Sequence, residues 1–228
     1  MNAIILCGGL STRLKDITKN TPKVLLDIKG KTVLDWQLEK LKELEIKEVV
    51  LAAGHLADVL KEQIGEERNG MKLIYAIEKE RLGTGGAIKF AWEHVSEPDA
   101  PVVVLNGDVL TTDSLKPMAE KLRKDSEGII FGAKVEDASS YGTLKYDKND
   151  RLLAFKEKEG VKCSAHINGG VYLFTSAARR HFPQESAFSI EYDVFPKMKD
   201  LDIYRSEHPW IDIGLPERLF WARENWSE

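Results

Sequence analysis

The sequence contains few cysteines and no long apolar run. Its 228 residues include two cysteines, Cys7 and Cys163, whose separation does not match a metal-binding motif. No apolar stretch approaches the roughly 20 residues that a membrane-spanning helix needs. The apolar run at residues 3–7 is too short for the core of a signal peptide and lacks a basic leader. These absences predict a reduced, cytoplasmic setting without a membrane partner.

The sequence also lacks an excess of basic residues. Lysine and arginine total 33 against 37 aspartate and glutamate residues, and the net charge is −4. A nucleic-acid binder needs a concentrated basic face, so this balance argues against nucleic acid as a partner. Internal repeats, low-complexity segments and long polar linkers are absent as well. We therefore expect one domain over residues 1–228, long enough to bury a sizeable core.

Strand-like and helix-like stretches alternate in the first half of the chain, up to about residue 135. Strands are predicted at 3–7, 48–53, 72–77 and 102–105, and helices at 33–44, 56–64 and 86–95. Apolar strands between amphipathic helices indicate an α/β fold, a Rossmann-like, open and mainly parallel sheet with helices on both faces. In such sheets the ligand crevice lies beyond the carboxyl ends of the strands. That rule selects Gly8–Arg13, Gly54-His55 and Gly107-Asp108.

The second half, about residues 136–228, has a different pattern. Strand-like stretches at 141–146 and 152–157 flank a polar turn and predict a hairpin. Further strands are predicted at 171–174 and 210–213, and Pro216 suits the first turn of a C-terminal helix. We expect a small β-rich lobe built onto the first sheet and not a separate domain.

A glycine pair, Gly8-Gly9, follows the first strand and precedes two hydroxyls and two cations. Glycine lets backbone N–H groups approach phosphate oxygens closely, and Ser11 and Thr12 add hydroxyl donors. Arg13 offers a planar fork for bidentate phosphate binding, while Lys23 supplies a compact charge. The segment is neither a P-loop nor a dinucleotide fingerprint. A glycine pair alone is usually a turn, but the two cations favour a phosphate site.

Two aspartates lie at the ends of predicted strands, where a carboxylate is poorly placed for packing. Asp108 follows the most apolar strand of the chain, and Asp212 lies in a later one. Carboxylate oxygens of this kind suit a hard cation. Gly83 and Thr84 precede a predicted helix, where bare backbone and the helix N-terminus could contact a nucleotide base; a plain helix cap is the alternative. His55 is either a neighbour of the base or a surface histidine.

These segments resemble the sugar-1-phosphate nucleotidyltransferase family, the NDP-sugar pyrophosphorylases. The family's opening signature is Leu-Ala-Gly-Gly-x-Gly-Thr-Arg-Leu followed by Pro-Lys, and the chain has LCGGLSTRL and then Pro22-Lys23. It departs from the signature at Cys7 and Ser11, and at Val24, where a second proline is common. The resemblance extends from Leu6 to about Arg218 and implies the nucleotide-diphospho-sugar transferase fold.

The resemblance implies a role for each matching position. Arg13, Lys23 and Asp108 would be catalytic, and Asp108 and Asp212 would bind a Mg²⁺ that bridges the nucleotide and the sugar phosphate. The positions implied to bind the nucleotide are Leu6, Gly8, Gly9, Ser11, Thr12, Gly54, Gly83, Thr84 and Gly107. Matches at Tyr141-Gly142, at the FKEK segment 155–158 and at the NGGVY segment 168–172 imply a sugar-phosphate site. Its residues would be Gly142, Glu157, Lys158 and Asn168.

The implied reaction joins an NTP to a sugar 1-phosphate and releases pyrophosphate. The LGTGG segment at 82–86 resembles guanylyl-type members, and the glutamine that thymidylyl and adenylyl relatives place nearby is absent between Gln63 and Gln184. We therefore expect GTP, with D-glycero-D-manno-heptose 1-phosphate or mannose 1-phosphate as the acceptor; UTP is the alternative nucleotide.

A non-catalytic subunit that senses nucleotide sugars is a second class of hypothesis. Such a subunit would be expected to lose Arg13, Lys23 or one of the two aspartates, and the chain retains all four. The sequence stops soon after the predicted C-terminal helix, so we expect no left-handed β-helix of the kind that some relatives append. A homo-oligomer is compatible with the sequence.

Overall fold

The computed structural model describes residues 1–9, 13–156, 160 and 162–227. In chain order its strands are β1 Asn2–Leu6, β2 Asp27–Ile28, β3 Lys31–Thr32, β4 Glu48–Ala53, β5 Glu67–Arg68, β6 Met71–Ile77, β7 Val102–Asn106, β8 Val109–Thr111, β9 Gly128–Val135, β10 Thr143–Tyr146, β11 Leu152–Lys156, β12 Ala165–Phe174, β13 Leu201–Ser206 and β14 Trp210–Asp212. The α-helices are α1 Val33–Glu43, α2 Ala57–Ile64, α3 Gly83–Trp92, α4 Lys116–Glu120 and α5 Pro216–Asn225. Shorter 3₁₀ or π turns lie at Lys15–Thr18, Lys23–Leu25, Ser176–His181, Ile190–Val194 and Phe195–Lys197.

One large sheet runs through both halves of the chain. Its main path has the strand order β11-β10-β12-β7-β1-β4-β6-β5, and β9 joins it by pairing with β12 and β13. Strand β1 pairs in parallel with β4 and β7, and β4 pairs in parallel with β6. The parallel strands predicted for the first half are therefore confirmed. Antiparallel pairing of β12 with β7 attaches the strands of the second half.

Helices cover both faces of this sheet, as the sequence predicts. On one face α1 and α2 pack over β1 and β4, and Leu34, Leu38 and Leu41 of α1 are fully buried there. On the other face α3 packs over the same strands. Helix α1 begins at a capping box, in which Thr32 and Asp35 each accept a hydrogen bond from the other's backbone N–H. Local capping and a regular apolar stripe explain why this helix was predictable.

Strand β12 is longer than the sequence analysis predicts. It begins at Ala165, whereas the prediction places a strand only at 171–174. A glycine pair at 169–170 precedes the predicted strand, and the observed strand passes through this pair with a shift of register between Asn168 and Tyr172. Glycine within a strand often marks such an irregularity. Strands β9 and β13, which pair in parallel with each other, were not predicted at all.

The C-terminal helix closes the fold beside the N-terminal segment. Leu219 and Ala222 of α5 are fully buried in a cluster that includes Leu14 and Ile28. Just before α5, β14 pairs antiparallel with β8, with Asp212 opposite Val109. No helix in the described part of the chain is both long and apolar enough to cross a membrane. A boundary near residue 135 stays a prediction.

Candidate active site

A cavity of about 430 Å³ opens where β1, β4, β6 and β7 end. These parallel strands point the same way, so their carboxyl ends share one edge of the sheet, and the three segments selected from the sequence meet there. The cavity is lined by residues of these three segments and by other residues singled out from the sequence. They are Leu6, Gly8, Gly9, Lys23, Gly54, His55, Gly83, Thr84, Gly107 and Asp108. Ser11 and Thr12 lie outside the described residues. The volume is within the usual range for a small-molecule site.

Lys23 and Asp108 form an ion pair at one side of the cavity. The Lys23 ammonium nitrogen lies 2.8 Å from Asp108 Oδ2, and the two side chains are 17% and 26% exposed. Pro22 precedes the short turn that carries Lys23, and the next residue, Val24, is buried in the core. This anchoring directs the Lys23 side chain into the crevice, next to the carboxylate that follows β7.

The pairing of β8 with β14 brings the second predicted carboxylate beside the first. A β-carbon built on Gly214 would lie 3.0 Å from Asp212 Oδ1, 3.7 Å from Asp108 Oδ2 and 3.4 Å from Arg13 Nη2. The two aspartates and Arg13 therefore surround one point at the end of β14. The structure thus places Arg13 beside the carboxylates.

Asp212 is held by groups that the sequence analysis did not connect with it. The Tyr141 hydroxyl donates to Asp212 Oδ2 over 2.8 Å, Arg218 contacts the same oxygen, and the Gly214 N–H donates to Oδ1 over 3.1 Å. Burial, and then the Asp212 charge, raise the pKa of Tyr141, which keeps its hydroxyl a donor. Arg218 lies in the first turns of α5, and no sequence pattern connects that helix with Asp212.

Helix α1 supports the turn that carries Asp108. The Gln37 amide, on a side chain that is 2% exposed, donates hydrogen bonds to the carbonyls of Asn106 over 2.8 Å and Val109 over 3.0 Å. These carbonyls lie on either side of Asp108. A side chain at Gly107 would clash with the Leu6 carbonyl, which accepts the Gly107 N–H over 3.0 Å. These buried contacts therefore hold the turn in place and position the Asp108 carboxylate.

The glycine-rich segment forms the first turn of α3, which begins at Gly83 and not at residue 86 as predicted, and it packs against the loop that precedes residue 191. Gly83 has a φ of 70°, and a β-carbon there would lie 2.6 Å from the Phe188 carbonyl oxygen. The Thr84 hydroxyl donates to Glu191 over 2.8 Å and accepts the Ile190 N–H over 3.1 Å. Internal packing thus accounts for part of the glycine content. The interpretation of Gly83 and Thr84 as base contacts stays a prediction.

The predicted sugar-side residues lie near the bulge of β12. Asn168 donates to the Tyr172 hydroxyl over 2.9 Å and accepts the Gly170 N–H over 3.0 Å. A β-carbon on Gly170 would lie 2.7 Å from the Asn106 amide, at the end of β7. Gly142 lies beside the Lys156 carbonyl, at the open end of the β10–β11 hairpin. Glu157 and Lys158 lie outside the described residues.

Glu78 is a further carboxylate in the cavity that sequence reasoning missed. It directly follows β6, so the rule that points to strand ends could have found it. Its Oε2 accepts the Leu82 N–H over 3.3 Å. Burial raises the pKa of Glu78, and the bond from Leu82 opposes this.

The arrangement combines cations, carboxylates and bare backbone around one cavity. Within the described residues no group of three histidine, cysteine, aspartate or glutamate side chains could hold a metal. An ion at Asp108 and Asp212 would complete its coordination with oxygen atoms from water or a ligand. Magnesium is typically held this way, by one or two carboxylates and substrate phosphates.

Comparison with known proteins gives consistent matches along the chain. A sequence model of the family described as Nucleotidyl transferase matches residues 2–228. The D-glycero-alpha-D-manno-heptose 1-phosphate guanylyltransferase of Campylobacter jejuni is 40% identical over 96% of this chain and 97% of its own length. Mannose-1-phosphate guanyltransferase beta-A of Xenopus laevis is 35% identical over 95% of this chain, which spans 62% of that relative's length.

A solved structure also resembles this one. The crystal structure of HddC from Yersinia pseudotuberculosis complexed with GMP-PN superposes with a TM-score of 0.85. The two chains share 32% sequence identity, and the match covers 98% of each.

Proposed function

The chain belongs to the nucleotidyl transferase family, and from this premise we propose that it transfers a guanylyl group from GTP to a sugar 1-phosphate. The acceptor we propose is D-glycero-D-manno-heptose 1-phosphate, with mannose 1-phosphate as the other candidate. The Campylobacter relative supports the heptose because it matches almost end to end. The products are a GDP-sugar and pyrophosphate.

One observation carries the proposal beyond family membership. Lys23 and Asp108 line a cavity that glycine backbone also lines, and Asp108, Asp212 and Arg13, from distant parts of the chain, lie around Gly214. A triphosphate needs cations and N–H donors, and a metal that accompanies it needs carboxylates. The convergence supports catalysis, because a subunit that only binds nucleotide sugars would have no need to keep all four groups together.

The carboxylate pair fits a divalent metal, and members of this family generally use one. Asp108 Oδ2 and Asp212 Oδ1 both lie within 3.7 Å of one point. We propose that these residues hold Mg²⁺ together with phosphate oxygens, and that the bound ion would supply Lewis-acid polarisation of the α-phosphate. Tyr141 and Arg218 hold the Asp212 side chain in place for this role.

The proposed reaction is an in-line displacement at the α-phosphorus of GTP. An oxygen of the sugar 1-phosphate forms the new P–O bond, and the bond from the α-phosphorus to the bridging oxygen of pyrophosphate breaks. The attacking oxygen is already anionic at neutral pH, so no side chain needs to remove a proton. Rate enhancement therefore comes from positioning and from neutralising charge, as in other phosphoryl-transfer reactions.

Each cation has a distinct place in this scheme. Lys23, which lies 2.8 Å from Asp108, would contact the α-phosphate as negative charge builds on it. Arg13, exposed beside Gly214, would bind the departing pyrophosphate. Lys158 would pair with the sugar phosphate, and Glu157 and Asn168 with sugar hydroxyls.

Pyrophosphate release tests the proposal directly. The purified protein is incubated with Mg²⁺ and each of the four NTPs against heptose, mannose and glucose 1-phosphates. We expect the highest kcat/KM with GTP and the heptose or mannose acceptor, and no turnover once EDTA removes the metal. Activity confined to UTP would refute the choice of nucleotide, and pyrophosphate release in no combination would refute the catalytic role.

A further inference from the structure

Arg218 contacts one of the two carboxylates to which the proposed metal would bind. Its guanidinium donates to Asp212 Oδ2, which also accepts the Tyr141 hydroxyl over 2.8 Å. The guanidinium lies over the Tyr141 ring as well, 4.7 Å from the ring centroid. A cation stacked on an aromatic face gains electrostatic attraction and loses side-chain freedom. The protein itself therefore holds Arg218 against Asp212.

Three cations lie against the two aspartates in the part of the chain that the structure describes. Lys23 contacts Asp108 Oδ2 over 2.8 Å. Arg218 contacts Asp212, and Arg13 lies near both carboxylates. Positive charges thus outnumber negative ones, three to two, among these five side chains. A divalent ion that arrived alone would meet net positive charge there and would be repelled.

Arg218 acts on the site by its charge and not by blocking it. Asp212 Oδ1 lies near the same point as Asp108 Oδ2, whereas Arg218 binds the other oxygen of Asp212. An ion could therefore use Oδ1 without displacing the guanidinium. The side chains of Arg218 and Asp212 are only 21% and 15% exposed, so solvent and salt screen their charges weakly.

A triphosphate reverses the sign of this interaction. A divalent ion bound to GTP travels with the larger negative charge of three phosphates, so the complex as a whole is an anion. The cations that repel the ion alone attract the complex. Lys23 and Arg13 already have phosphate contacts in the proposed reaction, whereas Arg218 has none.

We propose that Arg218 makes the site discriminate between a free divalent ion, which it repels, and the same ion carried by a triphosphate, which it attracts. The inference rests on the proposed function, since that function supplies both the metal and GTP. Arg218 acts through Asp212 and is a positioning residue, not a catalytic one. Its charge keeps the two aspartates from binding an ion before the nucleotide arrives.

The test measures binding of Mn²⁺ to the nucleotide-free protein, with free Mn²⁺ counted by electron paramagnetic resonance. Arg218→Met removes the charge but keeps an unbranched side chain beside the Tyr141 ring. Asp212 retains its bonds from the Tyr141 hydroxyl and the Gly214 N–H. We expect the Kd for Mn²⁺ to fall by at least about 10-fold, the effect of removing one weakly screened like charge. Arg218→Gln is the second variant should Arg218→Met fail to fold.

The second measurement is the Kd of the equimolar Mn²⁺–GTP complex without a sugar phosphate. Loss of an attracting charge should raise this Kd by about threefold or more. The two affinities therefore change in opposite directions. A group that only orients a metal ligand gives another result, since its removal typically weakens metal binding by about 10- to 100-fold.

Two further variants serve as controls. Arg218→Lys keeps the charge and should leave the Kd for free Mn²⁺ within about threefold of wild type. Arg223→Met removes the same charge from the last turn of α5, where Arg223 donates to the Asp27 carbonyl over 3.1 Å. This variant should leave both affinities unchanged.

The outcomes separate this inference from the proposed function. Free Mn²⁺ that binds no more tightly to Arg218→Met and Arg218→Gln than to wild type would overturn the role of Arg218. An equal gain in Arg223→Met would overturn it as well, because the effect would then belong to net charge. Neither result touches guanylyl transfer, which fails only if the wild-type protein releases no pyrophosphate from GTP with any sugar 1-phosphate.

Discussion

Replacing Lys23 by alanine removes the cation that contacts Asp108. The ammonium lies 2.8 Å from the carboxylate and is only 17% exposed, so it is held in place before any substrate arrives. Loss of one preorganised charge contact of this kind typically lowers kcat by about 10²- to 10³-fold. We expect a fall of roughly 10²-fold for Lys23→Ala. The ion pair itself is partly exposed and should contribute at most about 1 kcal/mol to stability.

The activity and stability of this variant are measured side by side. Pyrophosphate release gives kcat, and thermal unfolding should show a decrease in Tm of no more than about 2–4 °C, because 1 kcal/mol has that effect in a chain of this size. Lys72→Ala is the matched control, since Lys72 pairs with Glu48 over 3.0 Å at the opposite, amino-terminal ends of β6 and β4. A kcat within threefold of wild type in Lys23→Ala would remove Lys23 from the mechanism. A large fall in Tm would instead make the lost activity a folding defect.

Two further predictions concern helix α1. Burial raises the pKa of Asp35, but its bonds with Arg68 and the helix cap outweigh this and lower the pKa to about 2. Asp35→Asn should therefore lower the unfolding free energy by about 1 kcal/mol at pH 7, after allowance for solvent screening. The difference in unfolding free energy between wild type and variant, measured in urea, should shrink as the pH falls from about 4 toward 2. A difference that does not depend on pH would refute this reasoning. Gln37→Leu removes the hydrogen bonds that hold the turn carrying Asp108 and should lower kcat roughly 10-fold. The control is Gln63→Leu, at an exposed glutamine, which should leave kcat unchanged. An unchanged kcat in Gln37→Leu would contradict the positioning role of Gln37.

Local patterns identified the elements of the first half well. The predicted helix at 33–44 is observed as Val33–Glu43, and the predicted strand at 48–53 is observed with those bounds. Both have a regular apolar period and clear termini. Strands β9 and β13 were not predicted because their pairing is non-local and a glycine interrupts the apolar pattern of β9. The Ile203 side chain of β13 occupies the space that a side chain at Gly132 would need.

The candidate site was predictable only in part. Gly8, Gly54 and Gly107 follow apolar strands, and the strand-end rule places them together without any structure. Glu78 satisfies the same rule but was overlooked. Tyr141 and Arg218 could not have been found from spacing, because their roles depend on where Asp212 lies after folding.

By itself the sequence determined which strands are parallel, which helices cover them, and which chain segments meet at the carboxyl edge. It could do so because apolar periodicity and glycine punctuation are local, and parallel strands place their carboxyl ends on the same side. Only the tertiary structure decided that Asp212 lies beside Asp108, through the pairing of β14 with β8. It also decided that Gln37 supports the turn that carries Asp108. Such contacts join residues far apart along the chain, and the free energy that selects them comes from packing the whole core and not from any local segment.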